Sequence, residues 1–181
     1  DNHQAGYLAA QEIAKATDYD ADVMMIVSKL THANQNERYE GFVDGLAEYE
    51  EMNLVSVIEA EGDKLTMQEQ LMEAFLEFPS VEAIFCAESS STRRLGPFLQ
   101  QLKKEDLTII GFDNADTTLE FIKDDFYLGT IAQSSYDIGY EAVACLNRYQ
   151  EGSKSQEVYT DVTCITKENV DNFLPLRKQS K

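Results

Sequence analysis

Two rhythms of apolar residues alternate along this chain. Five short runs are apolar on both faces: Asp22 to Val27, Leu54 to Ile58, Val81 to Cys86, Leu107 to Phe112 and Leu128 to Ala132. Such runs predict strands buried in a parallel sheet. A sixth, Val158 to Ile165, interposes Tyr159, Asp161 and Thr163 and predicts an edge strand.

Between the runs the period changes to that of a helix. An opening helix is expected from about Gln4 to Lys15, with Asn2 or Asp1 as its N-cap. Tyr39, Phe42, Val43, Leu46 and Tyr49 form the next apolar stripe, and Met67, Leu71, Met72, Phe75 and Leu76 the one after, ended by Pro79. Leu95, Phe98, Leu99 and Leu102 make a further helix, Leu119 and Ile122 a short one, and Ile138, Ala142, Val143, Leu146 and Tyr149 the last. This strand–helix alternation predicts an α/β fold: a three-layer αβα, Rossmann-like lobe around a mainly parallel sheet. Glu151 to Gln156 reads as a polar loop and the residues after Leu174 as a loose tail.

At 181 residues with 43% hydrophobic positions, the chain can bury a core of its own. No apolar run approaches the length of a membrane span. The chain opens on Asp1 without a signal segment, and reads as an excised piece. Net charge is -18, from 33 acidic and 15 basic residues. Phosphate backbones require the opposite sign, so no nucleic acid is expected to bind through this segment. Cys86, Cys145 and Cys164 match no zinc spacing, and only two histidines accompany them; neither a metal nor a cofactor is expected.

Catalytic motifs are equally sparse. No Gly-rich phosphate loop or Gly-x-Ser-x-Gly elbow appears. Ser89-Ser90-Ser91 follows a strand, but the only imidazole bases are His3 and His32. These residues point away from an enzyme.

Ligands of open α/β sheets sit beyond the carboxyl ends of the strands. The residues there are Ser28 to Asn36 followed by Glu37-Arg38-Tyr39-Glu40-Gly41-Phe42, then Glu88-Ser89, Gly111-Phe112-Asp113-Asn114, and Thr130-Ile131-Ala132-Gln133. An arginine, an aspartate and a glutamine thus converge on one edge. These segments, with the opening Asp1-Asn2-His3-Gln4-Ala5-Gly6-Tyr7 and the later Tyr136-Asp137-Ile138-Gly139-Tyr140, resemble the ribose/galactose-type sugar-binding proteins of the type I periplasmic-binding-protein superfamily. The matches run in order over roughly residues 1–170.

The resemblance implies roles. Arg38 stands where the family's Glu-Arg-x-x-Gly-Phe arginine contacts sugar oxygens, Asp113 where its Gly-Phe-Asp carboxylate accepts from hydroxyls, and Gln133 at its hinge glutamine. Phe112 falls where an aromatic lies near the ring, and His32 and Asn34 in a loop that some members use for polar contacts. Two positions depart from the pattern. Glu88 replaces an asparagine, and Glu61-Gly62-Asp63 replaces an aromatic-bearing loop. Both changes suit a ligand with more hydrogen-bond donors than ribose, such as an amino-bearing one. Structural alternatives stand beside these roles. Arg38 can cap a helix or pair with Glu37 or Glu40, Asp113 can be an N-cap, Gln133 an ordinary hinge residue, and Glu88 and His32 solvated loop residues.

The family's architecture implies that residues 1–133 form the second ligand-binding lobe of a two-lobe fold. Residues 134–174 would be a crossover helix and strand joining a first lobe absent here, and 175–181 a tail. Helix and strand would then lack their usual partner, and the fragment is expected to self-associate. The implied function is binding of a monosaccharide or related polyol for an ABC permease or membrane sensor, in an extracellular or periplasmic, membrane-associated setting. The alternative is the effector domain of a lactose-repressor-like regulator in the cytoplasm. Ala16-Thr17-Asp18-Tyr19-Asp20 lacks the Gly-His-basic element of such repressors.

Overall fold

The computed structural model describes residues 1–61, 64–154 and 157–174. Six strands, β1 (Asp20–Val27), β2 (Glu51–Glu59), β3 (Val81–Cys86), β4 (Thr108–Phe112), β5 (Gly129–Gln133) and β6 (Val162–Thr166), form one sheet in the order β2-β1-β3-β4-β5-β6. The first five are parallel, and β6 runs antiparallel to β5. Six helices connect them: α1 (Asn2–Ala16), α2 (Ala33–Leu46), α3 (Lys64–Glu77), α4 (Ser89–Leu102), α5 (Asp116–Lys123) and α6 (Ser135–Gln150).

Strand periodicity divides the interior in two. Along β1, Met24 and Ile26 point into a core shared with Leu71 of α3, Leu95 of α4 and Leu119 of α5. Val23, Met25 and Val27 point the other way, into a core shared with Ala9 and Ile13 of α1 and Phe42 of α2. A strand buried on both faces has no polar side to show, which is why β1, β3, β4 and β5 read as continuous rather than alternating; β2, expected to be buried, is instead an edge strand in which only Met52 and Ile58 are buried.

Two glycines set the distance between α1 and α2. A Cβ on Gly6 would stand 1.9 Å from the carbonyl oxygen of Arg38, and one on Gly41 1.9 Å from that of His3. The helices therefore touch backbone to backbone, and the main chain at Arg38 is fixed by that contact.

The structure corrects several boundaries. α1 starts at Asn2, because the Asp1 carboxylate accepts from the Gln4 amide at 2.9 Å and caps the first turn. β2 extends both ways beyond Leu54 to Ile58. The last strand begins at Val162 rather than Val158, and both Val158 and Tyr159 are exposed. It is an edge strand, as its alternation predicts, and pairs with β5 from Gly129↔Thr166 to Gln133↔Val162. The open edge of β5 offers unpaired amides and carbonyls, and β6 satisfies them. Among the described residues, α6 carries no buried side chain. Gly62, Asp63 and the 175–181 tail lie outside the described residues.

Candidate ligand-binding site

Arg38 sits in the middle of α2, at the carboxyl edge of the sheet, and is only 4% exposed. Its Nε donates to Asn2 Oδ1 at 3.0 Å and its Nη1 to the Ala87 carbonyl at 2.8 Å. The guanidinium lies over the Phe112 ring, Cζ 3.7 Å from the centroid. Among the described residues these bonds engage two of the five N–H donors that the group carries. Burial pulls its pKa down to about 10, opposed by the charges of Asp113, Glu37 and Glu88, so it remains a cation at neutral pH. Gln35, one turn earlier and also buried, accepts from the Ser28 amide at 3.1 Å and donates to the same Ala87 carbonyl at 3.4 Å.

The ends of β4 and β5 supply the second half of the cluster. Asp113 adopts a left-handed backbone with φ 64°, a conformation that Asp and Asn tolerate better than most residues. Its amide donates to the Ile131 carbonyl at 2.8 Å, and its own carbonyl accepts from Thr130 Oγ1 at 2.8 Å. Oδ1 accepts from Gln133 Nε2 at 3.3 Å. Burial raises the pKa of this carboxyl; the Gln133 hydrogen bond and the Arg38 charge pull it down, while Glu88 pushes it further up. Asp113 is not an N-cap, because α5 is capped at Ala115 without a side-chain bond. Nor is Arg38 a capping residue: it lies within α2, and its bonds run to α1 and the end of β3.

Glu88 and Phe112 differ from their sequence-based roles. Glu88 is the N-cap of α4: Oε2 accepts from the Ser90 amide at 2.7 Å, and Oε1 from the Ser91 amide at 2.6 Å and from the Ser91 hydroxyl. Both oxygens are already engaged, so the residue is not a bare acceptor facing a ligand. Phe112 is 1% exposed, and its ring face supports Arg38 instead of lying open to a sugar. His32 and Asn34 are exposed at the start of α2, where His32 Nδ1 lies 3.4 Å from Ser28 Oγ and provides no side-chain cap.

The structure brings Arg38, Phe112, Asp113 and Gln133 together, with Glu88 beside them. It adds Asn2, Gln35 and Thr92, which sequence reasoning had not assigned to the site. Gln35 carried a signal, being polar on the buried α2 face that also bears Arg38 and Phe42. Thr92 carried none, yet its Oγ1 donates to the Glu88 carbonyl and accepts from the Phe112 amide, both at 2.9 Å. From the cluster a groove of about 380 Å³, lined by Asn2, Glu37, Gln133, Ile138 and Tyr159, runs towards α6.

A parallel α/β sheet whose last strand turns back antiparallel, with these polar side chains at its carboxyl edge, is the fold of one lobe of a two-lobe binding protein. The family described as "Periplasmic binding protein domain" matches residues 1–154, and the chain belongs to that family. Over 169 residues it is 25% identical to the ribose import binding protein of Escherichia coli (strain K12), covering 93% of this chain and 57% of that protein. The structure of an arabinose binding protein from Geobacillus stearothermophilus superimposes with a TM-score of 0.84 at 28% identity, over 97% of this chain and 64% of the other. A glucose-galactose binding protein from the same organism gives a TM-score of 0.88 at 26% identity, over 93% and 61%. The chain thus spans a little over half the length of the curated relative. All three relatives are described as sugar-binding proteins.

Proposed function

We propose that this chain supplies one wall of a sugar site in a solute-binding protein that delivers its ligand to an ABC-type importer outside the cytoplasmic membrane. The observation that carries the reading is Arg38. A buried guanidinium is costly unless its donors are used. Here two are held by Asn2 and Ala87, which orients the rest of the fork beside Asp113 and Gln133. Adjacent sugar hydroxyls, each both donor and acceptor, suit a guanidinium, a carboxylate and an amide set side by side. The import binding proteins and sugar-bound structures among the relatives support the same reading over the repressor alternative.

Calorimetry of the full-length protein against pentoses, hexoses, inositols and amino sugars tests it. At least one sugar is expected to bind, and Arg38→Ala to weaken that binding by about 1–3 kcal/mol, since it leaves ligand oxygens unpaired. Binding of the sugar with unchanged affinity by a folded Arg38→Ala protein would overturn the assignment of the site.

A further inference from the structure

We infer that the outer edge of β2 is a docking site for an extended, basic segment of a partner protein, which adds to the sheet as a further strand.

β2 closes the sheet at the end opposite β6, far from Gln133, and among the described residues it pairs only with β1. A strand paired on one side leaves alternate N–H and C=O groups pointing outward, a template for another strand. A bulge interrupts this edge at Val55, where Val23 and Met24 pair with Leu54 and Ser56. The regular stretch is therefore residues 56–59. Beside it a groove of about 350 Å³ runs between the strand and α3, lined by Val57 and Glu59 of β2 and by Gln70, Glu73 and Glu77 of α3.

The groove has the charge and the spacing for a basic strand. Glu73 and Glu77 are exposed one helical turn apart, and among the described residues neither enters a hydrogen bond or an ion pair. Glu59 spends one oxygen on the Leu30 amide, at 3.0 Å. A helical turn rises about 5.4 Å, and side chains on one face of a strand recur about every 6.6 Å. Basic residues at alternate positions of an added strand thus come within reach of Glu73 and Glu77 in turn. The intervening side chains fall on the opposite face, beside Leu54 and Val57, which are half-buried against the core of α1 and α2. The edge fits a segment in which basic and apolar residues alternate, docked by main-chain hydrogen bonds.

A second copy is the poorer occupant. Two β2 edges paired antiparallel would bring Glu73 and Glu77 of both copies to one seam, between chains that each carry a net charge of -18. Like charges so placed oppose the pairing.

The probe is a fluorescent hexapeptide alternating valine and lysine, titrated against the full-length protein by anisotropy, with hydrogen–deuterium exchange locating the contact. One control peptide carries glutamate in place of lysine. A second is N-methylated at every residue, which keeps the charge and removes the strand donors. At saturation the lysine peptide should slow amide exchange in residues 56–59 by at least about tenfold. The double variant Glu73→Gln, Glu77→Gln alters exposed positions only, and thermal unfolding checks that it is folded. It should weaken the affinity by about fivefold or more, a loss that shrinks as salt is added. Neither control peptide should bind. Equal binding of the N-methylated peptide would mark plain attraction between opposite charges and overturn the site. Absence of binding, binding without protection of β2, or full affinity in the folded double variant would overturn it too. Protection of β2 that grows with protein concentration in the absence of peptide would assign the edge to a second copy and overturn the basic partner.

Discussion

Arg38 and Phe112 form a stacked pair across two elements, with the guanidinium carbon of α2 3.7 Å above the ring that ends β4. The aromatic is part of the site without touching solvent. It gives the cation an apolar floor while Asn2 and Ala87 hold its edges.

That stacking should be measurable. Phe112→Leu is expected to destabilise the fold by about 1–2 kcal/mol, through a lost cation–π contact and a small void. In an Arg38→Met background the same substitution should cost less, with a coupling energy of about 0.5–2 kcal/mol. Urea denaturation of the four proteins completes the cycle. Strict additivity would mean that the contact contributes nothing.

Asp113 leads to a pH dependence. Burial raises its pKa, so the protonated form is favoured in the folded state and its contribution to stability is lost as pH rises from the usual aspartate value to the raised one. In the proposed site the ionised form is the one that would accept ligand hydroxyls. Sugar affinity is therefore expected to be complete at neutral pH and to decline on acidification earlier than an ordinary aspartate would predict. Asp113→Asn tolerates the left-handed backbone, and should bind more weakly at neutral pH with a flatter profile. Calorimetry at successive pH values on both proteins reads the difference.

The helix crossing makes its own prediction. Gly41→Ala places a methyl group against the His3 backbone, where no side chain can yield. A loss of about 2–4 kcal/mol or more is expected, together with weakened sugar binding, because the crossing positions Arg38. Gly139→Ala, within α6 and with no neighbouring atom, is the matched control: it should leave sugar binding unchanged and raise stability by no more than about 1 kcal/mol.

The outer helix behaves oppositely. Val143 and Leu146 are 69% and 62% exposed, and α6 buries none of its residues against the lobe. Serine at both positions should change stability by no more than about 0.5 kcal/mol each. The 181-residue chain is expected to self-associate through this apolar face, and the double variant to do so less. Light scattering behind a sizing column, at rising concentration, measures both.

The sequence made the buried strands legible because a parallel sheet with helices on both faces forces continuous apolar runs. It also showed which residues meet at the edge: Arg38, Glu88, Asp113 and Gln133 each follow or end a run, and topology alone gathers them. The pairing of the last strand could not be read, since alternation announces an edge but does not name the neighbour. How the side chains are occupied was equally hidden. Nothing in Glu88-Ser89-Ser90-Ser91 distinguishes a carboxylate turned back on its own helix from one turned to a ligand. Nothing in Gly111-Phe112-Asp113 says that the ring lies beneath a cation contributed by a helix some seventy residues earlier.

Because α1 and α2 meet through Gly6 and Gly41, the peptide carrying Arg38 cannot drift, and its side chain is clamped at Nε, at Nη1 and along one face. A free arginine gives up about 2 kcal/mol of rotamer entropy when it is immobilised. In this chain that loss falls on folding, before any ligand arrives. Capture of a solute should then carry little entropic penalty from the protein side at this residue, and a temperature series of calorimetric titrations should show binding dominated by solvent release rather than by ordering of the arginine.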